Sequence, residues 1–137
     1  MEKISVETKV NQPLQKVWDC FTNPTHMTQW NFASDDWCCP TASNDLRPGG
    51  KLTSRIEKKD GSIGFDFMGT YIAVEIQELL EYMLEDGRTV SVTFKEENGV
   101  VEIIETFEPE SDNDPEFQKW GWQTILSNFK KYVESIS

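Results

Sequence analysis

The sequence predicts an α+β fold: a curved, six-stranded antiparallel sheet wrapped around one long C-terminal helix, with two short helices after the first strand. Three observations carry this expectation. Alternating apolar and polar residues recur in five segments between positions 52 and 107, punctuated by Asp60-Gly61, Asp86-Gly87 and Asn98-Gly99. Such pairs tolerate the positive φ of tight hairpin turns, so they join the segments as a meander. The period then switches from two to helical after Asp114-Pro115 and stays helical to the end of the chain.

Each element has its own reason. Ile4, Val6 and Val10 alternate with polar neighbours and make the first half-buried strand. Asn11 and Pro13 lead into Leu14, Val17, Trp18 and Phe21, which recur at helical spacing. Asn23-Pro24 repeats the cap-then-proline start and opens a second short helix toward Trp30. From there to about Asn44 neither period holds, which reads as a long loop. The five meander strands follow, marked by Leu52, Ser54 and Ile56, then Phe65, Phe67 and Tyr71, then Leu80, Tyr82 and Leu84. Val90, Val92 and Phe94 mark the next, and Val101, Ile103, Glu105 and Phe107 the last. Asp114-Pro115 caps the final helix, whose Trp122, Leu126, Phe129, Val133 and Ile136 share one face that the sheet must cover. Residues 1–137 read as one domain, without repeat, low-complexity tract or linker.

Charge narrows the partners. Thirteen Lys and Arg stand against 24 Asp and Glu, a formal net charge of −11, which disfavours nucleic acid and anionic membrane because both need basic patches. Five Trp, eight Phe and three Tyr supply enough large apolar side chains to argue against disorder. The opening MEKISVETKV has no basic stretch followed by an apolar run, and no segment approaches a membrane span. With three cysteines and no C-x-x-C pair, the expectation is a cytoplasmic protein with free thiols. Both monomer and homodimer fit this composition.

The order of elements resembles the helix-grip, START-like (Bet v-like) superfamily, and the local wording is closer still. Trp30 to Pro40, NDLRPGG at 44–50, KDGS at 59–62 and GFDFMGTY at 64–71 resemble one group within it. So do LEDGRTVSVTF at 84–94, ETF at 105–107 and GWQTILSNFKKYVE at 121–134. That group is the stand-alone AHSA/SRPBCC proteins, homologues of the activator of the ninety-kilodalton heat-shock chaperone's ATPase. The resemblance covers nearly the whole chain in order and implies a cavity between sheet and helix. This chain departs from the family pattern at Cys38, where relatives often carry histidine.

Apolar pockets with a few placed polar groups are the usual form of a ligand site. Phe65, Phe67, Tyr71, Tyr82 and Phe94 share the strand faces assigned to the interior, and Trp122, Ile125 and Phe129 face them from the last helix. Each of these is also an ordinary core residue. Glu105 stands out, because strict alternation turns its carboxylate inward beside Ile103 and Phe107. A buried carboxylate must be paired, hydrogen-bonded or protonated. One reading is structural, with Glu105 bonded to Tyr82 or the Trp122 indole, or returned to solvent by a bulge. The other makes it a polar anchor, or a general acid or base, at the floor of a pocket.

Other motifs are explained by the scaffold. Asp45, Arg47 and the Asp86-Gly87-Arg88 run have turn chemistry. Gly121 inside the last helix weakens it relative to alanine and would allow a close approach to the sheet or a ligand. No H-E-x-x-H, G-x-S-x-G or phosphate-cradling glycine loop is present, and His26 is the only histidine. In WNFASDDWCCP at 30–40 the adjacent cysteines are poorly spaced for one tetrahedral zinc, and Asp35 and Asp36 oppose a thiolate. Neither a metal nor a cofactor is expected. Trp30 and Trp37 instead read as a lid over a pocket mouth or a plug completing the core. The leading expectation is a binding protein for a lipophilic or aromatic small molecule. The alternatives are a chaperone-activator-like protein-interaction domain, which the resemblance implies, and a cyclase- or hydrolase-type enzyme using the same cavity.

Overall fold

The computed structural model describes residues 3–136. Along the chain it runs β1 (Ile4–Val10), α1 (Leu14–Thr22), α2 (Pro24–Met27), β2 (Trp37–Asn44), β3 (Lys51–Lys58) and β4 (Gly64–Glu75). β5 (Leu79–Leu84), β6 (Thr89–Glu97), β7 (Val100–Phe107) and α3 (Pro115–Ser135) complete it. The seven strands form one curled antiparallel sheet in the order β1-β7-β6-β5-β4-β3-β2. The meander therefore accounts for β2 to β7, and β1 adds to its far side by pairing with β7.

The expected sheet has six strands; the observed one has seven. The difference is β2, which begins at Trp37 inside the segment expected to be a loop. β2 lies at the sheet's edge, and its pairing with β3 shifts register between Cys38 and Thr41, with Pro40 at the irregularity. Proline lacks the N–H of a regular ladder and is tolerated at such an edge bulge. That interruption also removes the period of two from the sequence.

Turn chemistry elsewhere follows expectation. Gly61, Gly87, Asn98 and Gly99 all take positive φ, and Asn98-Gly99 does so at both positions, as a two-residue hairpin turn requires. The β4–β5 turn uses Gln77 at φ 64° instead, without any glycine signal. Asp114 caps α3 by accepting from the Glu116 amide, with Pro115 in the first turn; Asn23 caps α2 by accepting from the Thr25 amide.

The inner face of the sheet is set by register. Val6 of β1 and Val92 of β6 flank Glu105 of β7, and Leu80 of β5 continues that row beyond Val92. The C-terminal half of α3 buries Leu126, Phe129 and Val133 against this face, α1 and β1. Each such side chain is worth about 1.5–3 kcal/mol of apolar burial. The N-terminal half of α3 is different. Phe117 and Trp120 are 66% and 55% exposed where the first turns of the helix and the sheet border an open space. The space between them is the candidate site.

Candidate functional site

A cavity of about 910 Å³, partly open to solvent, lies between the inner face of β3–β5 and β7 and the N-terminal half of α3. Ligand pockets span roughly 300–1,000 Å³, so this one is large for a 137-residue chain. It borders the first turns of α3, while from Trp122 onward the helix is held against β7, β1 and α1.

Aromatic rings frame it. Trp122 lies flat on Phe107, centroids 4.3 Å apart and planes 10° from parallel. Phe67 meets Trp122 edge-on at 6.1 Å and Tyr82 at 6.4 Å; Tyr82 meets Tyr71 at 6.0 Å. Gly69 makes room for this group, since a Cβ there would lie 2.8 Å from the Tyr82 ring. At the mouth, Trp37 and Phe65 meet at 6.3 Å, with the Lys58 ammonium 5.9 Å from the Trp37 ring.

The polar groups divide into two kinds. On the β2–β3 side they are satisfied within the protein. The Tyr71 hydroxyl donates to Asn44 Oδ1 at 2.7 Å, Asn44 Nδ2 donates to the Thr22 carbonyl, and Asn31 Nδ2 donates to Ser54 Oγ. On the β5–β7 side they are not. Glu105 is only 7% exposed and Tyr82 only 6%, yet among the described residues neither side chain has a hydrogen-bond partner. Both line the cavity and keep their polar atoms open to it.

Burial alone pushes the Glu105 carboxyl up to about 8, with neither a hydrogen bond nor a neighbouring charge contributing. Burial, then Glu105 and Tyr71, push the Tyr82 hydroxyl well above its ordinary value. The expected structural bond from Glu105 to Tyr82 or to the Trp122 indole is absent, and no bulge in β7 returns Glu105 to solvent. The reason is its row: its cross-strand neighbours are Val6 and Val92, which offer nothing to bond.

Of the candidate residues, Trp30, Trp37, Phe65, Phe67, Tyr71, Tyr82, Glu105, Trp122 and Ile125 line the cavity. Phe94 and Phe129 do not. They belong to a second aromatic cluster under α1, where Trp18 and Phe21 meet Phe94 at 5.1 and 5.3 Å and Phe129 meets Phe21 and Trp30 at 5.2 and 4.9 Å. Phe65 shares the interior parity but is 49% exposed, because its end of β4 extends past the helix to the rim. Trp30 is buried, and its indole donates to the Cys20 carbonyl at 2.9 Å, so it completes the core while lining the cavity. Phe117 at the mouth, and Leu52 and Ser54 on its wall, line it without being marked as site residues by the sequence, and Trp120, expected to widen the buried face of the helix, is exposed at the mouth instead. The β3 alternation held the signal for Leu52 and Ser54, whereas Phe117 sits off the face that periodicity marks as buried.

The remaining candidates lie elsewhere or serve the scaffold. His26 links α2 to the other helices, with Nδ1 2.6 Å from the Tyr132 hydroxyl and Nε2 3.4 Å from an Asp19 carboxylate oxygen. Arg47 pairs with Asp45. Arg88 reaches Asp86, the Glu108 carbonyl and Glu110, tying the β5–β6 turn to the segment after β7. Cys20, Cys38 and Cys39 are free. Burial, reinforced by Cys38, pushes the Cys39 thiol up to about 11, and burial with Asp19 raises Cys20, which leaves both as poor nucleophiles near neutrality. Among the described residues no group of three or more His, Cys, Asp or Glu is arranged to hold a metal ion, and no helix is long and apolar enough to cross a membrane.

Comparison with known proteins places this geometry. An AHSA1-like protein from Aeromonas hydrophila is 42% identical, with a TM-score of 0.93 over 98% of this chain and 93% of its own. A protein of known structure from Cytophaga hutchinsonii is 43% identical, with a TM-score of 0.84 over 96% of this chain and 92% of its own. A Chromobacterium violaceum protein shares the fold at 19% identity, with a TM-score of 0.87 over 99% of this chain and 100% of its own. No functionally curated protein matches the chain. Residues 11–134 match the family described as activator of Hsp90 ATPase homolog 1-like protein. The chain belongs to that family, and its fold is the helix grip.

Proposed function

We propose that the protein binds a small lipophilic or aromatic molecule in the cavity between its sheet and α3. The observation that carries this reading is the combination of a cavity of about 910 Å³ with aromatic walls and two inward polar groups, Glu105 and Tyr82, that have no partner among the described residues. A protein that only needed a core would gain by filling that space. Burying about 200 Å² of ligand apolar surface contributes about 5 kcal/mol, from which lost ligand freedom subtracts. Orientation then falls to the two polar groups. The experiment is native mass spectrometry on protein purified from its own cells. A retained small molecule, lost on substitution of cavity residues such as Phe67→Ala, supports the reading. Protein that is empty and also takes up no apolar probe contradicts it.

A second reading, docking to a chaperone or other protein as the family description suggests, draws on Ile72 and Met83. These face outward from β4 and β5 and are 45% and 44% exposed. The cavity favours the first reading, because a flat docking face does not require one.

A further inference from the structure

We propose that the ligand is a cation, an ammonium or amidinium group carried on an apolar body, with its charged nitrogen held against the Glu105 carboxylate at the cavity floor. This rests on the reading of the cavity as a ligand site and names the ligand's chemistry.

Four observations converge on it. Glu105 is more than nine-tenths buried, opens into the cavity and has no partner among the described residues. A carboxylate so placed lacks a counter-ion that the fold could have supplied from β1 or β6 but supplies as Val6 and Val92. Among the described residues the other Asp, Glu, Lys and Arg side chains lining the cavity are Asp66, Glu85, Asp86, Glu110 and Arg88, so with Glu105 acids outnumber bases five to one. That single cation is already engaged, by Asp86 at 2.7 Å and Glu110 at 3.2 Å. An anionic ligand would therefore meet repulsion from the acids at the mouth, while a cation is drawn inward by them and by the net charge of −11 and pairs with Glu105 once its proton leaves. Phe67, Tyr82 and Trp122 finally line the cavity with aromatic rings, beside which a cation is favoured over a neutral group.

The titratable groups facing Glu105 are few. Tyr82 comes from β5 with Tyr71 of β4 behind it, while β1, β6 and α3 present Val6, Val92, Trp122 and Ile125. Neither tyrosine ionises below pH 10, since both are pushed up by burial. The empty site thus holds its proton on Glu105, and binding R–NH₃⁺ transfers that proton from the carboxyl to solvent, leaving an ammonium–carboxylate pair.

The test pairs 4-phenylbutylamine, charged throughout the range, with its neutral isostere 4-phenylbutanol, by calorimetry from pH 6 to pH 8. With a Glu105 carboxyl near 8, amine affinity is expected to rise about 50-fold across this range while alcohol affinity stays flat. Repeating the amine titration at pH 7 in buffers of different ionisation enthalpy should show about 0.9 proton released per amine bound. Glu105→Gln is expected to lose the pH dependence for the amine. The wild-type comparison stands even if that variant folds poorly. An amine that binds no better than the alcohol at pH 8, with no pH dependence, overturns the cation proposal and leaves the cavity reading intact. Failure of both probes to bind overturns both.

Discussion

Trp122 of α3 stacks on Phe107 of β7 with ring centroids 4.3 Å apart and planes within 10°. This stack divides α3. On its C-terminal side the helix is seated in the core; on its N-terminal side Phe117, Trp120 and Gly121 border the cavity.

Gly121 therefore does not serve a close approach to the sheet. A Cβ there would meet no heavy atom within 4 Å. Gly121→Ala is expected to stabilise the protein by about 0.5–1 kcal/mol through helix propensity alone. Urea denaturation measures it, and a loss of stability would mean that the neighbourhood is tighter than described.

Glu105 gives the fold a signed pH dependence. Its carboxyl is raised from 4.5 to about 8, so the folded state holds the proton more tightly than the unfolded state does. Stability should therefore fall as pH rises from about 4.5 to about 8, with this residue contributing at most about 1.4 kcal/mol per pH unit. Glu105→Gln removes that component, so wild type and variant should diverge steadily across this window in denaturation midpoint. Parallel pH profiles would contradict the assignment.

The two cavity tyrosines predict opposite outcomes. Tyr71→Phe removes a 2.7 Å bond to Asn44 and should cost about 1–2 kcal/mol with little effect on probe binding. Tyr82→Phe removes a hydroxyl without a partner among the described residues and should leave stability within about 0.5 kcal/mol while weakening polar probes. Thermal melts beside probe titrations separate the two.

Thiol chemistry should be sparse. At pH 8 a disulfide reagent is expected to label Cys38 readily, while buried Cys20 and Cys39 react only after unfolding. Rapid labelling of Cys39 would show that β2 opens easily, and rapid labelling of Cys20 that α1 does.

Much of this was legible in the sequence, for physical reasons. Strict alternation in β7 put Glu105 on the inner face, and turn pairs fixed the meander, because both signals are local. β2 was not legible: at an edge, with Pro40 at a bulge, the chain needs no period of two. Phe94 and Phe129 share the parity of true cavity residues, and only the position of α1 sends them into the core. Whether Glu105 found a partner depended on the residues opposite it, which register decides and a single strand does not reveal.

The central claim is that the space beneath α3 receives a ligand. Its most direct test is a titration of isotope-labelled protein with 4-phenylbutanol, followed in nitrogen–proton correlation spectra. Saturable shifts at the Trp122 indole, Gly121 and Phe67, with Ile72 and Met83 on the outer face unmoved, are the predicted result. No saturable shift, or shifts confined to the outer face, would contradict it.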